Sequence, residues 1–234
     1  MVSEGQATVV QVGTVYSCYP ERFGVPRQPG LVPSAEAELH LEAPWNDPTA
    51  LQGLEGFSHV WLLYGFHANP PKPWRPTVRP PRLGGNRRMG VFATRSPFRP
   101  SPLGLSVARL VEVVVTGVWQ GLRLADHDLV DGTPVYDIKP YLPWSDALSH
   151  AHAPSGFARP EPGLAVSFEA GVLERAPGNR PDWRALVTET LAQDPRPAFH
   201  RDDPDRLYGV ALGGYNVRFR VAGATAVVFA VVPR

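Results

Sequence analysis

The 234-residue chain has little cysteine and little charge: Cys18 is its single cysteine, and charged residues make up 19% of the sequence. One thiol can form neither an intrachain disulfide nor a cysteine-based zinc site, which indicates a reducing compartment. No stretch approaches roughly 18 uninterrupted apolar residues, and no basic segment followed by an apolar run opens the chain. We therefore expect a soluble, cytoplasmic protein with no membrane partner.

Common nucleotide-binding and catalytic motifs are missing as well. The sequence has no GxGxxG after a predicted strand, no P-loop, no GxSxG elbow and no HExxH. This excludes Rossmann dehydrogenases, the usual Rossmann-type methyltransferases, NTPases and the common hydrolases. His150 and His152 form an HxH pair without a third ligand nearby in sequence, so we expect no metal site.

The residues that are present favour a mainly β protein. Hydrophobic residues make up 43% of the chain, enough for a core, while 27 prolines disfavour an all-helical fold. No helical pattern separates successive strands, so we predict a small antiparallel, non-Rossmann β-barrel. The predicted strands are Ala7–Tyr16, Glu36–Leu41, His59–Phe66, Met89–Thr94, Ser106–Thr116 and Trp119–Ala125, with a hairpin at Gly117 and Val118.

A Pro-, Ser- and Ala-rich stretch without periodicity divides the chain. We place the barrel domain at residues 1–145, a linker or exposed loop at 146–163 and a small α+β domain at 164–234. In the last of these, apolar spacing predicts a helix at Asp182–Gln193, and Gly213-Gly214 predicts a hairpin turn. The predicted strands there are Leu164–Ala170, Tyr208–Leu212, Tyr215–Val221 and Ala224–Val232.

A near-neutral net charge of +1 conceals an asymmetry. No acidic residue lies between Glu55 and Glu112, so this interval carries +9 and the remainder −8. One interpretation is a solvated basic face paired with acids elsewhere; the other is a site for a polyanion, with RNA or a nucleotide as leading candidates. The basic residues of the interval are Lys72, Arg75, Arg79, Arg82, Arg87, Arg88, Arg95, Arg99 and Arg109.

Three proline-anchored polar segments are candidate ligand loops: Val25–Leu31, Gly90–Leu105 and Asp128–Tyr141. Prolines restrict their backbones, which lowers the entropy lost when a ligand binds. The local pattern alone fits surface turns equally well. For the third segment, the alternative is a hairpin turn that carries surface charges.

These segments resemble a known family. The strings VPRQPGLVPSAEAELHL, GVFATRSPFRPSPLGLS, DLVDGTPVYDIKPYLPWSD and YNVRFRV closely resemble the TsaA-like, or TrmO-type, tRNA (adenine) N(6)-methyltransferases, from about Val9 to Arg234. The resemblance implies an S-adenosyl-L-methionine-dependent enzyme on a β-barrel, usually a homodimer, whose partner is the tRNA anticodon arm. Its substrate would be the threonylcarbamoyladenosine 3′-adjacent to the anticodon, and its product N(6)-methyl-N(6)-threonylcarbamoyladenosine.

The resemblance also implies roles for individual residues. Asp128, Asp137 or a bound water is expected to accept a proton, and Arg95, Arg99 and Lys139 are the candidates to contact the threonyl carboxylate. Two alternatives remain: a non-catalytic cofactor- or RNA-binding module, and a methyltransferase for another substrate. The expected cofactor-binding residues are Arg27, Gln28, Pro29, Phe66, His67, Arg95, Leu105, Asp128, Leu129 and Val130. The expected RNA-binding residues are Arg75, Arg79, Arg82, Arg87, Arg88, Arg99 and Tyr141.

Overall fold

The computed structural model describes residues 8–70, 72–80, 87–175, 183–197, 203 and 206–234. It contains a closed six-stranded barrel, a two-stranded ribbon and a four-stranded sheet. The barrel strands are β1 (Gly13–Ser17), β2 (Glu36–Leu41), β3 (His59–Gly65), β6 (Leu103–Val115), β7 (Gln120–Ala125) and β8 (Thr133–Pro140). The ribbon strands are β4 (Thr77–Val78) and β5 (Met89–Gly90). The sheet strands are β9 (Ala165–Phe168), β10 (Tyr208–Leu212), β11 (Tyr215–Ala222) and β12 (Thr225–Pro233), and the helices are α1 (Pro143–Asp146) and α2 (Trp183–Ala192).

The barrel closes in the order β1-β2-β7-β6-β3-β8, with every neighbouring pair antiparallel. Alternate residues fill its interior, as the two-residue period of a strand requires. On β3, for example, Val60, Leu62 and Tyr64 are buried while Trp61 and Leu63 are only partly covered. The predicted fold class, a mainly β chain with an antiparallel barrel, is confirmed.

Two strand predictions in the barrel region need correction. The predicted strand Met89–Thr94 is wrong beyond Gly90, because the chain turns into a 3-10 helix at Val91–Ala93. The predicted strand Ala7–Tyr16 is wrong before Gly13, where the described residues 8–12 are irregular and Ala7 lies outside the described residues. The strand that closes the barrel is instead β8, inside the segment interpreted as a polar loop.

The C-terminal sheet has the order β10-β11-β12-β9, with β9 parallel to β12. The helix prediction is confirmed over Trp183–Ala192, and Asp182 lies outside the described residues. The Gly213-Gly214 turn between β10 and β11 has φ of 56° and 89°, values that favour glycine. Neither described helix is long and apolar enough to cross a membrane.

The buried apolar side chains of the described residues form two clusters. One fills the barrel, and the other lies between the C-terminal sheet and α2. The second cluster also contains Cys18, Tyr19, Val32 and Ala35, which come from the irregular connection between β1 and β2. Packing thus places residues 18–35 with the C-terminal part, and the domain boundaries at residues 145 and 164 stay a prediction.

Candidate functional site

The loop of residues 126–132 lies at the barrel end where β3 finishes and β6 starts, and it connects β7 to β8. Ser17, at the end of β1, fixes this loop twice: its backbone N–H donates to Asp131 Oδ1 at 2.8 Å and its Oγ donates to the Leu129 carbonyl at 2.8 Å. Asp126 adopts a φ of 56°, which aspartate tolerates better than most residues. The loop is therefore held in one conformation by its own barrel.

Asp128 is the most perturbed carboxyl group of this loop. Ser106 Oγ, from the interior face of β6, donates a hydrogen bond to Asp128 Oδ1. Burial raises the pKa of Asp128 from 3.8 to about 6 and the charge of Asp126 adds to this, while the Ser106 hydrogen bond and the Arg95 guanidinium oppose it. Asp128 is consequently a carboxylate that exchanges its proton close to neutral pH.

Tyr64 forms the floor beside Asp128. Its ring lies edge-on to Phe66, with centroids 5.2 Å apart, and crosses directly over Gly104 on β6. A Cβ at Gly104 would lie 2.2 Å from Tyr64 Cζ, so only glycine allows the ring this position. Burial, helped by the nearby Asp128 charge, raises the pKa of Tyr64 above its usual value. Tyr64 therefore stays a neutral hydroxyl at this barrel end.

His67 closes another side of the loop. Its Nε2 donates to the Asp131 carbonyl over 3.1 Å, which fixes the tautomer, and its Nδ1 lies 3.5 Å from Thr133 Oγ1. Gly132, with a φ of 75°, passes beneath the same ring. The segment of Phe66 and His67 is thus joined to the loop by direct contacts.

The proline-anchored segment of Arg27, Gln28 and Pro29 approaches from the other side. Arg95 donates to Gln28 Oε1, and Gln28 Nε2 donates to the Arg27 carbonyl. One residue further, the Gly30 N–H donates to Asp126 Oδ1 at 2.9 Å. Through these bonds the segments around residues 27–30, 66–67, 95 and 126–132 meet at one barrel end.

Three further residues predicted to bind the cofactor lie at this end but differ in exposure. Leu129 is fully buried and Val130 half-buried within the loop. Leu105 follows Gly104 on β6, but its side chain lies on the outer face of the barrel and is 60% exposed. Leu105 is therefore a neighbour of the interior cluster and not a part of it.

Asp137 and Lys139 lie elsewhere, on β8. Lys139 Nζ and Asp137 Oδ2 form an ion pair of 3.0 Å between two exposed side chains. Asp137 lines a cavity of about 770 Å³ at the other barrel end, together with Leu41 and Trp45. In the described part of the chain, no hydrogen bond or ion pair joins either residue to Asp128. Their catalytic role stays a prediction, and the geometry favours Asp128 over Asp137.

Most of the acid-free interval forms an excursion between β3 and β6. Arg75, Arg79, Arg87 and Arg88 are exposed there, and no described acidic side chain lies within 4.0 Å of their nitrogens. The predicted RNA-binding Arg82 lies outside the described residues. One interpretation of the interval was a basic face whose arginines pair with acidic residues. At these four positions the described residues form no such ion pair.

Arg99 has a structural task within the same excursion. Its Nη1 donates to the carbonyls of Thr94 at 2.8 Å and Val91 at 3.3 Å, and its guanidinium carbon lies 5.8 Å from the Phe92 ring centroid. The guanidinium thereby holds the 3-10 turn at Val91–Ala93 in place.

Tyr141 is not close to these arginines. It follows β8 at the other barrel end, where its ring centroid lies 5.9 Å from that of Trp61 and 6.2 Å from that of His59. Its predicted contact with RNA therefore has no support from the positions of the arginines.

Sequence reasoning missed Tyr64 and Ser106, which contribute to the environment of Asp128. Both alternate with apolar residues on strands, so their sequence pattern is that of core positions. A local signal exists only at Gly104, a glycine inside an apolar strand, which indicates the close approach of another group.

Comparison with known proteins identifies the family. The model for the tRNA-methyltransferase O N-terminal domain matches residues 14–147, and that for the TrmO C-terminal domain matches residues 161–234. The chain is 52% identical over 228 residues to the tRNA (adenine(37)-N6)-methyltransferase of Escherichia coli, covering 96% of this chain and 97% of that protein.

A curated sequence and a solved structure from Pseudomonas aeruginosa are also similar to this chain. A putative S-adenosylmethionine-dependent methyltransferase RcsF is 46% identical over 218 residues, 91% of each chain. A crystal structure of TrmO superimposes with a TM-score of 0.78 at 36% identity, covering 97% of this chain and 98% of the other. The two domain models together account for most of the sequence, and the chain belongs to the TrmO family of tRNA methyltransferases.

Proposed function

We propose that this protein transfers a methyl group from S-adenosyl-L-methionine to the exocyclic nitrogen of threonylcarbamoyladenosine, 3′-adjacent to the anticodon of tRNA. The observation that carries the proposal is the meeting of four distant segments around Asp128, beside an excursion of exposed arginines. Family membership supplies the reaction class, and the resemblance of the motifs supplies the modified base.

The donor set at the barrel end fits S-adenosyl-L-methionine. Arg27 and Arg95 offer guanidinium groups for a carboxylate, and Asp128 offers carboxylate oxygens for hydroxyl or amino groups. Phe66 and the exposed Leu105 offer apolar surface for an adenine ring. When bound, the cofactor supplies an electrophilic methyl group on a sulfonium. The residues of this chain then have to orient the acceptor nitrogen and manage its proton.

Asp128 is the proposed proton acceptor. The acceptor nitrogen stands between a carbonyl and an aromatic ring, which makes its N–H more acidic than that of a free exocyclic amine. With a pKa of about 6, Asp128 is mostly ionised at neutral pH and still basic enough to take this proton. The Ser106 hydrogen bond holds one of its oxygens, which fixes the direction of the carboxylate.

The arginine excursion is the proposed RNA surface. Arg75, Arg79, Arg87 and Arg88 have no described acidic partner and can contact phosphates of the anticodon arm. Phe92 is 74% exposed, so an unpaired base of the loop can stack on it, for about 1–3 kcal/mol. For the threonyl carboxylate, Arg95 is better placed than Lys139, because Arg95 lies near Asp128 whereas Lys139 lies on β8, paired with Asp137.

The resemblance also leads us to propose that the active form is a cytoplasmic homodimer. Light scattering on the purified protein tests the assembly state, with twice the 25.6 kDa chain mass as the expected result. A monomeric mass at assay concentration, with full activity, would contradict the dimer and leave the reaction unaffected.

The decisive experiment compares two tRNA substrates that differ only in the threonylcarbamoyl group. Purified protein, cofactor and each tRNA are incubated, the tRNA is digested, and nucleosides are identified by mass spectrometry. We expect the methylated threonylcarbamoyl nucleoside from the modified tRNA and little methylation of the unmodified transcript. Equal methylation of both tRNAs would refute the proposed substrate.

The same assay separates the alternatives. A non-catalytic module would bind cofactor and tRNA and leave both tRNAs unmethylated. A methyltransferase for another substrate would do the same with this tRNA, while bulk tRNA from a deletion strain would still contain the methylated nucleoside.

A further inference from the structure

The 18–35 loop, which connects β1 to β2 and carries the proposed cofactor residues Arg27–Pro29, is irregular over its whole length. A loop of this length without secondary structure has little order of its own and must be fixed by contacts with other segments. The source of those contacts decides what organises this half of the proposed site.

The apolar side of the loop is covered by the C-terminal sheet and α2. Phe23, Val25 and Leu31 pack against that core, and Val32 is a buried member of it. Gly24, with a φ of 97°, passes so close to β10 that a Cβ would lie 2.4 Å from Val210 Cγ2. The loop is therefore fitted to the surface of the C-terminal part on one side, with Arg27 exposed.

Polar contacts from the same part hold the loop near its second end. Glu189 Oε2, on α2, accepts from the Ser34 N–H at 3.0 Å and from Ser34 Oγ at 2.6 Å. Gln193 Nε2, one turn further along, reaches the Leu31 carbonyl at 3.5 Å. Hydrogen bonds to a charged acceptor are among the stronger ones in proteins, so the Glu189–Ser34 pair is the main polar attachment.

Gly30 shows how the two halves of the molecule meet at the site. Its N–H donates to Asp126 on the barrel loop, and its carbonyl accepts from Arg159 Nη2 at 2.8 Å. Arg159 lies between the barrel and the C-terminal sheet in sequence. The backbone next to Gln28 and Pro29 is thus held from the barrel side and from the C-terminal side.

We propose that the C-terminal part acts as a clamp that holds the 18–35 loop in its cofactor-binding conformation, with Glu189 and Ser34 as its positioning residues. The inference rests on the proposed function, because it takes Arg27–Pro29 as cofactor residues. Neither positioning residue touches the cofactor or the tRNA. Loss of their contact lowers the fraction of molecules with a competent loop, and the apparent dissociation constant rises by the same factor.

The test measures S-adenosyl-L-methionine binding by calorimetry, and kcat and KM by methyl transfer, on the full chain. Glu189→Ala removes both hydrogen bonds, and we expect the Kd and KM for the cofactor to rise about tenfold. At saturating cofactor kcat should stay within twofold of wild type, as should the affinity for tRNA. Glu189→Gln keeps an amide oxygen that accepts from Ser34, so it should recover most of the affinity.

Two further variants distinguish loss of the Glu189–Ser34 contact from a general loss of stability. Ser34→Ala removes only one donor and should give a smaller rise in Kd than Glu189→Ala. Glu169→Ala is the matched control, because it removes a carboxylate contact of the same C-terminal sheet, with Arg220 at 2.6 Å, that does not face the loop. Its cofactor Kd should be unchanged.

The results distinguish this proposal from the proposed function. If the wild type binds the cofactor and Glu189→Ala binds equally well, the clamp is refuted and the function stands. The clamp is also refuted if Glu169→Ala weakens cofactor binding as much as Glu189→Ala, or if Glu189→Gln binds no better than Glu189→Ala. A wild-type protein that does not bind the cofactor refutes the proposed function itself.

Discussion

Replacing Asp128 with asparagine should raise the stability of the protein and lower its activity. In the folded protein burial raises the pKa of this carboxyl from 3.8 to about 6, so its ionisation is more costly there than in the unfolded chain. A rise of this size corresponds to about 3 kcal/mol at pH values above 6. Asparagine has the same shape and carries no charge, so Asp128→Asn should raise the free energy of unfolding at pH 7.5 by up to that amount.

The size of the stability difference depends on pH. Below about pH 3 the carboxyl is protonated in both states, and the stability of the wild type is highest relative to the variant. As the pH rises from the unfolded-state pKa of 3.8 to the folded-state pKa of about 6, the wild type loses this advantage, whereas the variant has no such group to titrate. The stability difference should therefore be near zero at about pH 3 and reach its maximum above about pH 6.

Activity should change the other way, because an amide cannot accept the proton. We expect kcat to fall by about 100-fold or more, in line with the contribution of a general base. Urea unfolding at pH 4.5 and 7.5 gives the stability difference, and methyl transfer to threonylcarbamoylated tRNA gives kcat. A variant with wild-type kcat, or with a stability difference that does not depend on pH, would refute this account of Asp128.

Ser106→Ala should raise the Asp128 pKa and shift the acidic limb of the kcat–pH profile to higher pH; Ser101→Ala, which alters an exposed serine before β6, is the control and should leave the profile in place. Arg87→Ala should lower the affinity for threonylcarbamoylated and for unmodified tRNA about equally, and it should reduce the number of counterions released on binding by about one. Fluorescence anisotropy at several salt concentrations measures both quantities. Gly104→Ala should displace the Tyr64 ring and lower both the melting temperature and cofactor affinity, since the added Cβ would overlap the ring. EDTA should leave methyl transfer unchanged, because among the described residues no three His, Cys, Asp or Glu side chains come together; loss of activity restored by a divalent cation would contradict this.

The barrel was predictable from the sequence because most of its strands carry strong apolar patterns. Glu36–Leu41 was predicted at its observed limits, and the alternation there is clear. β8 was missed because Pro134 and Pro140 lie within it and because Asp137 and Lys139 resemble a polar turn. Prolines and charged residues within a strand weaken its apolar alternation, so the sequence pattern does not indicate a strand there. The segment is recognised as a strand by its pairing with β1 and β3.

The opposite error occurred at Met89–Thr94. Its apolar residues fit a strand, but only Met89 and Gly90 find a partner, in the short β4. After them Arg99 draws the chain into a turn by binding the carbonyls of Val91 and Thr94. A side chain eight residues away in sequence thus overrides the local strand preference, and no period in the sequence encodes that contact.

The sequence predicted which segments form the candidate site, but it did not predict how they are arranged in space. Motif resemblance pointed to Arg27–Pro29, Phe66, His67 and Asp128, and contacts join their segments at one barrel end. The groups that tune Asp128 come from barrel strands whose sequence pattern is that of ordinary core. Their role follows from barrel closure, which turns alternate residues of β3 and β6 toward the same interior end.

The surroundings of Asp128 are connected to both halves of the molecule. The ionised form of the half-buried Asp128 is stabilised first by the Ser106 hydrogen bond and then by the charge of Arg95. Arg95 is held in turn by Gln28, which lies on the loop that Glu189 attaches through Ser34. A continuous series of contacts therefore runs from α2 to the proposed proton acceptor. With saturating cofactor the loop is in its bound conformation and Arg95 stays beside Asp128, so weaker attachment at α2 should change cofactor affinity and leave the acid–base chemistry at the barrel end intact.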